Sequence, residues 1–131
     1  MDGTPKQDPE VAASLAKGME LFNQGEFYEA HEVWEETWGD SQMDDRHLLQ
    51  GLIQVAAGFY KLQTGMPTGT VKLLEKAQGH LRAVPDDFYN LDLTTLLEKV
   101  EHWRAEAKTM VEQWRTQYDV DSLPRLEYVT H

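Results

Sequence analysis

The densest run of chemistry-bearing side chains is Glu29-Ala30-His31-Glu32-Val33-Trp34-Glu35-Glu36. At helical spacing His31 falls only about 40° from Phe27 and between Trp34 and Glu35 in angle, so its imidazole belongs to an apolar face. Glu35, four residues on, sits at the rim of that face, while Glu32 and Glu36 point outward. An imidazole among tryptophans needs a hydrogen-bond partner to offset its desolvation, and Glu35 is the nearest. Such a pair suits acid/base work: the ring carries the proton and the carboxylate orients the ring. A second polar stripe follows downstream, where His47, Gln50, Gln54 and Lys61 recur at helical spacing beside the small residues Gly51 and Gly58. If that stripe faces the first, His31, Glu35, Gln50 and Gln54 converge in one partly buried pocket, with His47 and Trp38 as further lining. Two readings stay open for it: a ligand or catalytic pocket, or a structural network that fixes helix register.

Other chemistries find less support. His31, Glu35 and His47 are the candidate metal ligands. The zincin pattern needs a second histidine four residues after the first, where this chain has Glu35. A di-iron bundle needs two Glu-x-x-His motifs, but Tyr28, Asp44, Ala77 and Lys99 stand three residues before His31, His47, His80 and His102. Ser14, Ser41 and Ser122 lack a nucleophile-elbow context. Gly65-Met66-Pro67-Thr68-Gly69 lacks the lysine of a phosphate loop. The absence of cysteine excludes disulfides, iron–sulfur clusters and thiolate zinc sites. No cofactor is evident. His80 and His102 read as surface or edge residues, the latter in an i,i+4 pair with Glu98.

The elements that must position these groups are all helical. Asp8-Pro9 caps a first helix whose apolar residues are Val11, Leu15, Met19 and Phe22. Gly25 ends it, and a second helix runs from about Glu26 to Gly39, with Phe27, Ala30, Trp34 and Trp38 as its stripe. The short link predicts an antiparallel hairpin. Gly18, Leu21, Gly25, Phe27 and Ala30 occupy positions like those of a tetratricopeptide repeat, although no second copy follows at a 34-residue period. A third helix, from Asp44 or Asp45 to Thr64, is apolar nearly all round and belongs in the middle of a bundle. A fourth spans about Thr68 to Val84. The fifth and longest, about Leu93 to Tyr118, carries a heptad-like seam of Leu93, Leu96, Val100, Trp103, Ala107, Met110 and Trp114. That seam suits a helix lying across the bundle or one shared with a second subunit. Trp34, Trp103 and Trp114 are expected in the core. The fold class is all-α: a compact bundle of about five helices in one domain of 131 residues, with residues 1–7 and 125–131 as loose tails.

Charge bounds the partners. With 23 acids against 12 bases the net charge is −11, which disfavours phosphate backbones and anionic membranes. The N-terminal decapeptide is polar, and the longest apolar stretch, Leu48 to Leu62, is too short to span a bilayer. The chain reads as cytoplasmic.

Two ordered motifs carry a family resemblance. Phe22-Asn23-x-Gly25-Glu26-Phe27-Tyr28-Glu29-Ala30-His31-Glu32-Val33-Trp34-Glu35-Glu36-x-Trp38 and Leu49-Gln50-Gly51-Leu52-Ile53-Gln54-Val55-Ala56-Ala57-Gly58-Phe59-Tyr60-Lys61 resemble the two signatures of a small prokaryotic family, domain of unknown function 309. A weaker block spans Gly69 to Leu81. Many relatives have histidine where this chain has Lys61, which weakens any metal model that uses that position. The resemblance implies a compact helical fold and no activity. The expectation is therefore a binding module with a His/Glu/Gln pocket between helices 2 and 3, taking a small molecule. The alternatives are a metal- or small-molecule-dependent hydrolase using His31 and Glu35, and a protein-interaction or dimerisation module without a ligand.

Overall fold

Asp8 opens the first helix by accepting a hydrogen bond from the Glu10 amide at 2.8 Å, with Pro9 at the first helical position, where a missing N–H costs nothing. From there the computed structural model describes residues 7–130 as five α-helices: α1 (Pro9–Asn23), α2 (Phe27–Trp38), α3 (Met43–Gln63), α4 (Pro67–Arg82) and α5 (Leu93–Glu112). Short 3-10 turns cover Phe88–Asn90 and Val120–Ser122. No helix among the described residues is long and apolar enough to cross a membrane.

Three helix ends share one chemistry. At α1 the Glu26 amide donates to Leu21 O, at α3 the Met66 amide to Lys61 O, and at α5 the Arg115 amide to Met110 O. Each bond closes a Schellman turn around a residue in the left-handed region: Gly25 (φ 80°), Gly65 (φ 76°) and Trp114 (φ 54°). The first two are the glycines this geometry favours. Trp114 is a costly occupant, and its position corrects two expectations. The helix stops at Glu112 rather than Tyr118, and the Trp114 side chain is 95% exposed instead of joining the core.

The remaining seam residues are buried against the chain itself, including Trp103 and Met110. α5 packs along α4, α4 along α3, α3 along α2 and α2 along α1. α3 lies in the middle, with Leu48, Leu49, Leu52, Val55, Ala56 and Phe59 fully buried. Phe22, Phe27, Phe59 and Trp103 meet in a chain of aromatic contacts: Phe22 to Phe27 at 4.8 Å, Phe27 to Phe59 at 5.5 Å and Phe59 to Trp103 at 6.1 Å.

Two glycines set how closely the helices approach. A Cβ at Gly18 of α1 would collide with the Trp34 indole of α2. A Cβ at Gly51 of α3 would lie 2.6 Å from Leu81 Cδ2 and 3.4 Å from His80 Cβ, so the missing side chain is what lets α4 close on α3 at that level. Close approach through small residues buries more apolar surface between the helices.

Residues 125–130 are not loose. The Asn23 side chain accepts from the Leu126 amide at 2.7 Å and donates to Leu126 O at 2.9 Å. Asp92 N donates to Glu127 O, and Val129 N to Asn90 O. Leu126 is 5% exposed. The sequence cue for a tail was the loss of helical period, but a strap held by backbone bonds has no period to show. Of the expected N-terminal tail, residues 1–6 lie outside the described residues.

Candidate functional site

The expected single pocket divides into parts. His31 and Glu35 do pair: Nε2 lies 3.1 Å from Oε2. The ring is only partly buried and Glu35 is exposed, with side-chain exposures of 23% and 56%. His31 packs beside Tyr28, which lies against Tyr60 of α3. Its Nδ1 is buried without a hydrogen-bond partner, and so is Oε1 of Gln54 in the α3 core. The imidazole therefore bonds along its own helix and not to the glutamine row. Lys61 departs from the stripe as well, because its stem lies over Gly69 at the start of α4.

The other half of the stripe builds a cavity of about 220 Å³ lined by Trp38, Arg46, His47, Gln50 and His80. Trp38 ends α2, Arg46, His47 and Gln50 come from the first two turns of α3, and His80 from the last turn of α4. The Arg46 guanidinium lies 3.9 Å from the centroid of the Trp38 ring, a cation–π stack. Its Nη1 donates to Trp38 O at 3.2 Å and to Ser41 O at 3.4 Å, which folds the α2–α3 link around the arginine. Across the mouth, His47 Nδ1 and His80 Nδ1 stand 3.1 Å apart. One must donate and the other accept, so the pair holds complementary tautomers when both rings are neutral. Burial, and then the neighbouring His47, pushes the His80 pKa below its ordinary value. The Trp38 indole N–H is buried without a partner. No carboxylate lines the cavity, although the chain carries 23 acids.

Of the expected site residues, Trp38, His47 and Gln50 come together here. His31 and Glu35 form their own pair, and Gln54 is enclosed in the core. His31, Glu35 and His47 do not assemble as a metal set, and among the described residues no three His, Cys, Asp or Glu side chains do so. Sequence reasoning missed Arg46 and His80. His80, which the sequence places at an edge, lines the cavity instead, and His102 packs edge-on to Trp103. A signal for His80 was present: Gly51 lies one turn after His47, and a small residue there invites a neighbouring helix to bring its own side chains alongside.

Comparison with known proteins reports the same central segment. Residues 15–73 match the family model of a domain of unknown function, DUF309. The match bears out the resemblance read from the two motifs. The matched segment contains α2, α3, the His31–Glu35 pair and four of the five cavity residues; His80 lies beyond it. An uncharacterized protein of Aquifex aeolicus is 29% identical over 83 residues, which are 63% of this chain. The chain spans about a quarter of that relative's length (25%).

Proposed function

We propose that the chain is a small helical binding module that takes a compact anion, a carboxylate or phosphate group, in the cavity between Trp38, Arg46, His47, Gln50 and His80. The observation that carries this reading is the inversion of charge. A protein of net charge −11 has a cavity with one guanidinium, two imidazoles and an amide at its wall and no acid. Such a wall is electrostatically suited to an anion that the rest of the surface repels. Arg46 is already oriented by its stack on Trp38 and its two carbonyl acceptors, so little side-chain entropy remains to be lost on binding. Its other guanidinium N–H groups have no protein partner among the described residues and present the fork that suits a carboxylate or phosphate. The volume falls below the roughly 300–1,000 Å³ of drug-sized sites, which suits a small group rather than an extended substrate.

Binding is favoured over catalysis. The His31–Glu35 pair could move a proton, but neither residue lines this cavity, and no serine, threonine, cysteine or lysine stands in it. The same acidic surface argues against nucleic acid and anionic membranes as partners.

The test is an NMR titration of metal-free protein with inorganic phosphate and, separately, acetate. Saturable shifts are expected at the Arg46 Nε–H and His80, weakened at least about tenfold by Arg46→Gln, the loss of about 1.4 kcal/mol that a charge-assisted hydrogen bond supplies. Shifts scattered over surface lysines, or unchanged in Arg46→Gln, would overturn the reading.

A further inference from the structure

We infer that His47 and His80 form a two-imidazole chelate for a divalent transition-metal ion, clamping α3 to α4. This goes beyond the anion reading and does not depend on it. Two ring nitrogens from neighbouring helices converge, Nδ1 to Nδ1, at 3.1 Å. Metal–imidazole bonds run about 2.0–2.1 Å, so one ion placed equidistant from both nitrogens would subtend an angle of about 100°, between the octahedral and tetrahedral values. Each ring must turn by about 40° from the line between the two nitrogens to aim its lone pair at such an ion. The distance that now serves one shared N–H is also the bite of a chelate.

The chemistry of the donors fits. Neutral imidazole suits zinc, copper and nickel. His80 is biased to the neutral form by its partial burial, so its lone pair is available near neutral pH. In the free protein one Nδ1 carries the bridging proton. Binding moves that proton to Nε2 of the same ring through solvent, frees the second Nδ1 lone pair and leaves both rings neutral, so no net proton is released. The remaining coordination positions fall to water or a ligand oxygen, since the protein supplies two nitrogens and no third His, Cys, Asp or Glu assembles with them among the described residues. Arg46 opposes a cation in the same cavity, whereas the net charge of −11 favours cation approach.

The placement is held by packing. His47 and Gly51 lie one turn apart on α3, and Leu81, next to His80, fills the space where a Gly51 side chain would stand. The rings meet because the helices do.

The experiment is a titration of resin-stripped protein with Zn²⁺ in a non-coordinating buffer free of phosphate and acetate. It is read by calorimetry and by side-chain histidine NMR. One equivalent is expected, with the His47 and His80 ring nitrogens shifted and those of His31 and His102 unmoved. His80→Gln and His47→Gln should each weaken binding by more than the roughly 10–100-fold that loss of an outer-shell partner costs. His102→Gln should change nothing. Because His47 is exposed, His47→Gln is expected to keep the helical circular dichroism of the parent, which separates lost binding from lost fold. Zinc that binds His31 and Glu35, or affinity retained in both single variants, would overturn the chelate. The anion titration is run on metal-free protein, so either reading can fail while the other stands.

Discussion

His80 shows how one side chain links the site to stability. Its pKa lies below the ordinary 6.5 because burial, and then His47, disfavours the charged ring. Just below that value the unfolded chain binds more protons than the folded one, so this residue's contribution to stability is present above 6.5 and is lost as the pH falls from there through the lower folded-state pKa. Urea midpoints measured about one pH unit either side of that value should fall on the acid side, and His80→Gln should flatten the difference; an identical pH slope in the variant would refute the assignment. Single residues were also where sequence reasoning was weakest. The His31–Glu35 pair was legible because both groups lie on one helix at fixed spacing. The His47–His80 pair was not, because its 33-residue separation is closed only by tertiary packing. Trp114 misled for the opposite reason: its spacing continued the heptad, yet the helix had already ended in a left-handed turn two residues after Glu112.

Between elements, the α3–α4 contact decides most. A Cβ at Gly51 would sit 2.6 Å and 2.7 Å from Leu81 Cδ2 and Cγ. Leu81 is 2% exposed and has little room to retreat. Gly51→Ala should therefore cost about 1–3 kcal/mol through overpacking, although alanine is the better helix former by about 1 kcal/mol. Chemical denaturation reads the stability loss, and the histidine ring shifts should report a wider His47–His80 separation. A variant as stable as the parent would show that the approach is not set there. Helix number, order and the central place of α3 were legible because apolar periodicity and glycine or proline stops act locally. Where each polar stripe lands depends on helix rotation and crossing, which no local pattern encodes. That is why the glutamine row split between cavity and core.

Across the whole molecule, the segment after α5 returns to close the bundle. Asn23, at the end of α1, grips both backbone atoms of Leu126, 103 residues away. Asn23→Ala leaves that amide and carbonyl unpaired and should cost about 1–3 kcal/mol. Hydrogen exchange should show the amides of Leu126 and Val129 losing protection while α3 keeps its own; unchanged protection would mean that apolar burial alone holds the strap. The other end of the described chain arrives at the same corner. The Asp8 amide donates to the Tyr89 hydroxyl at 3.0 Å, while Asn90 and Asp92 bond to Val129 and Glu127. Entry and exit thus share one doorway, the turn between α4 and α5. A module with that wiring can be spliced into a longer polypeptide without stretching its own helices apart.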